Sequence, residues 1–176
     1  MTERIERATA ADARRAAFDA LLAAELDGAY RLVGVILGDQ WQAEDVTHDA
    51  VVQAWLRFGS LRDRDRFPAW FGRILVNLCR DRLRERVRRP IAVGAPADRP
   101  TDDRTAAVDD RLVLDRAFAE LSPDHRVALV LRFYADLPVD AIAELVGVPA
   151  GTVKSRIHVA VSRMRDALGD DEGGPR

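Results

Sequence analysis

The chain is poor in cysteine, with Cys79 standing alone. That excludes an intramolecular disulfide framework and a cysteine-based zinc module. The three histidines, His48, His125 and His158, are scattered without metal-ligand spacing, so no metal site is expected. No Ser/His/Asp set, paired-carboxylate cleft or phosphate loop can be picked out, which predicts no enzymatic activity and no cofactor. Long apolar runs are missing too. The N-terminal stretch MTERIERATAADARR has no apolar signal core, and no segment approaches a membrane span. A soluble, cytoplasmic protein without membrane insertion is expected. Aromatic residues make up only 6% and β-branched runs are short, whereas Ala, Leu and Arg abound. That mixture favours helices.

What is present is charge, unevenly spread. The formal net charge is only -2, so no global positive field marks a nucleic-acid partner. Yet residues 61–89 carry ten arginines against Asp63, Asp65, Asp81 and Glu85. Residues 98–124 carry eight acidic groups against four arginines, and residues 151–165 carry Lys154, Arg156, Arg163 and Arg165 with no acid. Two basic islands flank an acidic stretch, which suggests two places where phosphate could be held.

Apolar periodicity predicts a helix over residues 13–37, built on Phe18, Leu21, Leu22, Leu26, Tyr30, Val33 and Leu37 and ended by Gly38. A second helix over residues 42–58 sets Thr47, Val51, Trp55 and Phe58 on one face and Asp45, His48, Asp49 and Val52 on another. The polar segment 59–65 breaks the pattern, and Asp65 is expected to cap the third helix, over residues 66–87. That helix sets Trp70, Ile74, Leu75 and Leu78 on its apolar side. Arg73, Asn77, Arg80 and Arg84, spaced four, three and four apart, form a polar stripe. Trp55 and Trp70 read as core, Trp41 as a lid on it, and Cys79 as a small buried residue rather than a redox sensor.

Residues 90–106 read as a flexible linker, with prolines, aspartates and no periodicity. Helical patterning resumes with Val108, Leu112, Leu114, Phe118 and Leu121. Ser122, Pro123 and Asp124 then supply a cap, a first-turn proline and an acidic start. Val127, Leu129, Val130, Leu131 and Phe133 fill the next helix, and Asp136-Leu137-Pro138 opens another. The fold class expected is all-α, with two small helical domains, residues 13–89 and 107–169, joined by that linker.

Residues 137–168 read as a helix-turn-helix. A short helix bearing Ile142, Ala143, Leu145 and Val146 ends at Gly147, and Val148-Pro149 start a second helix. Val153, Ile157, Val161 and Met164 form its buried stripe. The opposite side offers Thr152, Lys154, Ser155, Arg156, His158, Ser162 and Arg163. A helix in the major groove needs this division, with one side on the scaffold and cations and hydroxyls toward base edges and phosphates. Backbone N–H groups near Gly151-Thr152 are also suited to a phosphate.

The string GVPAGTVKSRIHVAVSRMRDAL resembles the C-terminal promoter-reading helix of bacterial RNA polymerase sigma factors of the sigma-70 family, extracytoplasmic-function (ECF, group IV) subfamily. LGDQWQAEDVTHDAVVQAW resembles their polymerase-clamp helix, and FPAWFGRILVNLCRDRLRERVRR their helix for the promoter element nearest the start site. The motifs stand in the family's order along nearly the whole chain. The resemblance implies regions two and four, and transcription initiation by binding energy rather than bond chemistry. It places Asp45, His48, Asp49 and Val52 on the core polymerase clamp helices, with region four near the flap. Arg73, Asn77, Arg80 and Arg84 would hold minus-ten DNA, and the loop at residues 58–66 a flipped base. Thr152, Lys154, Ser155, Arg156, His158 and Arg163 would meet the minus-thirty-five element. Promoter DNA and an anti-sigma factor are the other implied partners.

The sequence departs from the family pattern at four places. His48 stands for a frequent glutamine, Ala141 for a glutamate, Val159 for an arginine and Pro138 for a serine cap. These leave the architecture and make the promoter sequence unreadable. Other classes are weaker. A receiver-linked regulator would need alternating strands and a phosphoacceptor aspartate, and a helical sequestering protein would not need the basic stripe. A helix-turn-helix regulator that is not a sigma factor remains the alternative.

Overall fold

The computed structural model describes residues 2–88 and 106–169, with side chains for residue 9, residues 11–88 and residues 113–169. The expected linker at residues 90–106 therefore lies almost wholly outside the described residues. Among those described are seven α-helices, two 3₁₀ turns and no strand, and no helix long and apolar enough to cross a membrane. Chain contacts separate a unit Met1–Leu78 from a unit Cys79–Arg176, the boundary falling inside the third helix.

In the first unit, α1 (Thr2–Leu37) begins well before residue 13, because no proline or glycine interrupts residues 2–27. Gly38, at φ +66°, ends it and its N–H donates to the Gly34 carbonyl at 2.8 Å. A Cβ would strain that left-handed turn. Asp39 then caps α2 (Gln40–Arg57), its carboxylate accepting from the Gln42 backbone N–H at 3.1 Å and from Gln42 Nε2 at 2.9 Å. This cap supplies the sharp reversal that lays α2 against α1.

The α2 side of that contact is built mostly from small residues. Ala43, Val46, Ala50 and Ala54 are buried, with Thr47 beside them. Of the expected apolar face, Thr47 and Phe58 are buried, while Val51 and Trp55 are only half-buried. Alanines permit close approach of helices, and Gly34 lies beside Ala43, where an added Cβ would make an ordinary van der Waals contact at 3.9 Å. On α1, Phe18, Ala29, Val33, Ile36 and Leu37 are buried, whereas Leu26 and Tyr30 are exposed, contrary to the periodic reading.

Two 3₁₀ turns, Phe58–Ser60 and Arg64–Arg66, lead into α3 (Phe67–Arg88). The cap is Asp63, whose carboxylate accepts from the Asp65 N–H at 3.0 Å. Asp65 itself does not fill the expected role, because it lies inside the second 3₁₀ turn, which runs directly into α3 and is the element that Asp63 caps. Phe18, Phe58 and Phe67 meet edge to face with centroids 5.0–6.1 Å apart. Trp55 joins at Phe18, and Phe71 and Trp70 at Phe67. The two tryptophans, expected in the core, border this cluster and are only half-buried. Trp41 is no lid: it is 83% exposed.

In the second unit, α4 (Ala106–Glu120), α5 (Pro123–Phe133) and α6 (Val139–Val146) all contact α7 (Ala150–Leu168). Ser122 caps α5 as expected, accepting from the His125 N–H at 3.4 Å. Ala117, Leu121, Leu129, Ala160 and Met164 form a continuous core, with Phe118 and Val161 packed against it. Leu114 and Phe133, counted among the apolar residues of these helices, are exposed, Phe133 by 64%. α5 is already buried through residues 126–131, and its last turn runs out beyond that buried stretch. Arg126 is the charged member of this interior. Burial pushes its guanidinium down to about 10, with Arg86 adding to the fall and Asp115 opposing it, and its charge lies 5.6 Å from the Phe118 ring.

Candidate nucleic-acid interface

The turn between α6 and α7 sets the recognition helix. Gly147 takes the left-handed conformation at φ +69°, and both Gly147 and Val148 donate their N–H groups to the Ala143 carbonyl, at 2.9 and 3.2 Å. Pro149 occupies the cap position of α7 without a side-chain hydrogen bond, and the first turn holds no acid. That leaves the positive end of the α7 dipole without a neutralising side chain of its own first turn. Before α6, Asp136 adopts φ +50°, a conformation Asp tolerates better than most residues. Arg132 Nη1 braces this turn, donating to Asp136 Oδ1 at 3.4 Å and to the Leu137 carbonyl at 3.3 Å.

Val153, Ala160 and Met164 are the buried residues of α7, while Ile157 and Val161 are half-buried. The stripe expected from large residues thus turns on an alanine that a hydrophobicity pattern passes over. Thr152, Lys154, Ser155, His158 and Arg163 are exposed. Beside Lys154 and His158 runs an open groove of about 360 Å³, bordered by Arg132, Arg165 and the exposed ring of Phe133.

Arg156 differs from its neighbours on α7. It is half-buried, and its Nη2 donates to Asp124 Oδ2 at 3.2 Å. The polar stripe of α3 divides in the same way. Arg73 and Asn77 are exposed. Arg80 Nε donates to Asp124 Oδ1 at 2.8 Å, and its Nη1 to the Val146 carbonyl at 3.3 Å. Arg84 Nη2 lies 3.5 Å from the same Oδ1. Three of the expected DNA-contacting arginines therefore meet one carboxylate. His125, next in sequence, is held below the ordinary histidine range by burial, then by Arg163 and Arg156, with Asp124 opposing. The sequence marked Asp124 only as a helix-start acid. Its arginine partners lie 32–44 residues away, beyond any local pattern.

On α2, Asp45, His48, Asp49 and Val52 are all exposed. Trp41 and Leu56, at 83% and 72% exposure, extend that face by helical spacing at either end. The periodicity carried this signal for Leu56, but Trp41 was assigned inward. In the segment expected to hold a flipped base, Phe58 is fully buried, and the Arg64 guanidinium lies over its ring at 3.7 Å. Residues 62–66 are exposed. Cys79 is buried, and burial pushes its thiol up to about 12, which suits an inert packing residue. No cluster of metal-ligating side chains occurs among the described residues.

Comparison with known proteins agrees along the chain. A family model described as Sigma-70 region 2 matches residues 21–89, and one described as Sigma-70, region 4 matches residues 111–164. The ECF RNA polymerase sigma factor SigM of Mycobacterium tuberculosis is 34% identical over 155 residues, covering 88% of this chain and 79% of SigM. SigL of the same species, also an ECF RNA polymerase sigma factor, is 34% identical over 173 residues, covering 94% and 95%. Among solved structures, CnrH in complex with the cytosolic domain of CnrY superimposes with a TM-score of 0.61 at 26% identity, covering 98% of this chain and 100% of that one. The chain belongs to the ECF RNA polymerase sigma factors of the sigma-70 family, non-enzymatic factors that bring core RNA polymerase to promoter DNA.

Proposed function

We propose that this sigma factor grips its promoters at two points, with a separate face for the polymerase. The observation that carries the reading is the exposed side of α7, which holds no acid between residues 151 and 165, opposite a buried stripe and behind a helix start without a side-chain cap. Thr152, Lys154, Ser155, Arg156, His158 and Arg163 act there on the minus-thirty-five element. Arg73, Asn77, Arg80 and Arg84 act on minus-ten DNA, with Asn77 suited to a base edge and the arginines to phosphates. Residues 13–89 carry core binding and strand opening, and residues 107–169 the distal contact.

The polymerase face is the exposed side of α2. Asp45, His48, Asp49 and Val52 contact the clamp helices, and Trp41 and Leu56 flank them as apolar anchors. Large aromatic side chains exposed beside charges are the usual makings of an interface hot spot. Since CnrH was solved with the cytosolic domain of CnrY, we assign this chain a sequestering partner of the anti-sigma class. Its place of action is the bacterial cytoplasm, where core polymerase and promoters are found.

Two substitutions separate the roles. Asn77→Ala should reduce open-complex formation on a cognate promoter by roughly 5- to 150-fold, the equivalent of a base contact worth ~1–3 kcal/mol, while core binding stays unchanged. Equal loss of core binding would refute the division of labour. Lys154→Gln should weaken holoenzyme binding to promoter DNA by roughly 1–3 kcal/mol if it reads a base, and lower the salt slope by about one if it holds a phosphate. Promoter affinity and salt slope both unchanged would remove α7 from the interface.

A further inference from the structure

We infer that Asp124 is an internal competitor for DNA phosphate, holding arginines of the DNA-binding machinery in a self-neutralised state until DNA displaces it. The inference rests on the assignment of Arg80, Arg84 and Arg156 to DNA given above, and adds what sets their availability.

Both carboxylate oxygens are used. Arg80 Nε and Arg84 Nη2 approach Oδ1 at 2.8 and 3.5 Å, and Arg156 Nη2 approaches Oδ2 at 3.2 Å. A guanidinium grips carboxylate and phosphate oxygens by the same charge-assisted donation, so one anion occupies what three cations would offer DNA. The site is sheltered but open: the side chains of Arg80, Arg156 and Asp124 are 13%, 20% and 27% exposed, and that of Arg84 is 42% exposed. A second carboxylate, Asp81, lies 3.6 Å from Arg84 Nη1. His125, next to Asp124 in sequence, is affected by Arg163 and Arg156 as repulsive charges, so cations outnumber the two carboxylates around this site.

Helix capping explains less. Asp124 sits in the first turn of α5, where any acid gains from the helix dipole. Ser122 already supplies the side-chain cap there. Nothing in capping requires an arginine, still less three from distant parts of the sequence. Counterion release drives essentially all of non-specific protein–DNA affinity. Arginines already paired with a carboxylate contribute less to it.

The test uses the full chain, free and as holoenzyme, with fluorescently labelled duplex DNA of arbitrary sequence, titrated across a series of salt concentrations. Asp124→Asn should tighten binding roughly 5- to 20-fold at low salt and steepen the salt dependence by about one, the signature of a regained phosphate contact. Asp140→Asn makes the same charge change in the first turn of α6, away from these arginines, and should shift affinity less than about 2-fold. Asp124→Glu keeps the charge and should retain wild-type affinity and slope. If the asparagine unfolds α5, Asp124→Ser carries the same expectation.

If neither Asp124→Asn nor Asp124→Ser binds more tightly than Asp140→Asn, the competition is overturned. The underlying assignment is checked separately, by adding Arg80→Gln or Arg156→Gln to Asp124→Asn. Each should then cost about 10-fold in DNA affinity. If neither does, the assignment of these arginines to DNA falls. If they do while Asp124→Asn matches Asp140→Asn, only the competition falls.

Discussion

Replacing Phe58 with alanine should destabilise the first unit by about 3–5 kcal/mol, the largest effect expected of any single change on stability. The ring is fully buried. It meets Phe18 at 5.0 Å and Phe67 at 6.1 Å, both edge to face, and carries the Arg64 guanidinium on its face at 3.7 Å. Beyond its buried area, each such aromatic pair adds about 0.5–1.5 kcal/mol. Phe58 also ends α2 and starts the 3₁₀ turn that leads toward α3, so a cavity there loosens the segment proposed to hold a base. Domains of this size are stable by only about 5–15 kcal/mol, and the variant should lose much of that margin. Urea unfolding followed by Trp fluorescence would show it as a lowered midpoint. Trp41→Ala, at an exposed site on the same helix, should move stability by no more than about 0.5 kcal/mol. A Phe58→Ala cost below ~1 kcal/mol would mean that the aromatic cluster does not hold the unit together.

Reversing charge on the α2 face should have the largest effect on function. Asp49→Arg is expected to weaken core polymerase binding by about 10- to 100-fold, or ~1.4–2.8 kcal/mol. Asp49 is exposed, so the fold should be untouched, and far-ultraviolet circular dichroism and urea unfolding should match the wild type. Part of the loss should appear as a slower association rate that depends on salt, because charge at an interface steers encounter. Trp41→Ala should add a salt-independent loss, since an apolar anchor acts through buried area. Wild-type core affinity for Asp49→Arg would remove this face of α2 from the polymerase contact.

Much of this molecule is legible in its sequence, and the parts that are not share a cause. Helix ends followed from local chemistry. Gly38, Ser122 and Gly147 stop or start helices where their residue types require it. The helix-turn-helix followed as well, because Val153 and Met164 recur at helical spacing opposite a face with no acid between residues 151 and 165. Helix–helix seams were harder. Ala43, Ala50, Ala54 and Ala160 are fully buried, yet alanine scores as weakly apolar and helix-favouring wherever it stands. Large residues misled in the other direction. Leu26, Tyr30, Leu114, Phe133 and Trp41 keep the periodicity or the size of core residues but lie exposed, because solvent exposure depends on which neighbours arrive.

The same limit applies to the charged groups. Spacing placed Arg73, Asn77, Arg80 and Arg84 on one stripe. It could not reveal that Asp124, 44 residues beyond Arg80, takes hold of half of it. For the protein as a whole, the motifs in order were decisive. They pointed to a sigma factor over a helix-turn-helix regulator of another kind, and the matches to regions 2 and 4 agree.

The central claim is that one chain directs core polymerase to a promoter through two separate DNA grips. Purified protein combined with core RNA polymerase should produce specific initiation from a subset of sites on genomic DNA from its own source, read by sequencing the 5′ ends of the transcripts. Those sites should share two elements, and both Asn77→Ala and Lys154→Gln should lower their use while the holoenzyme still assembles. Failure of the chain to bind core polymerase, or starts that share no upstream element, would contradict it.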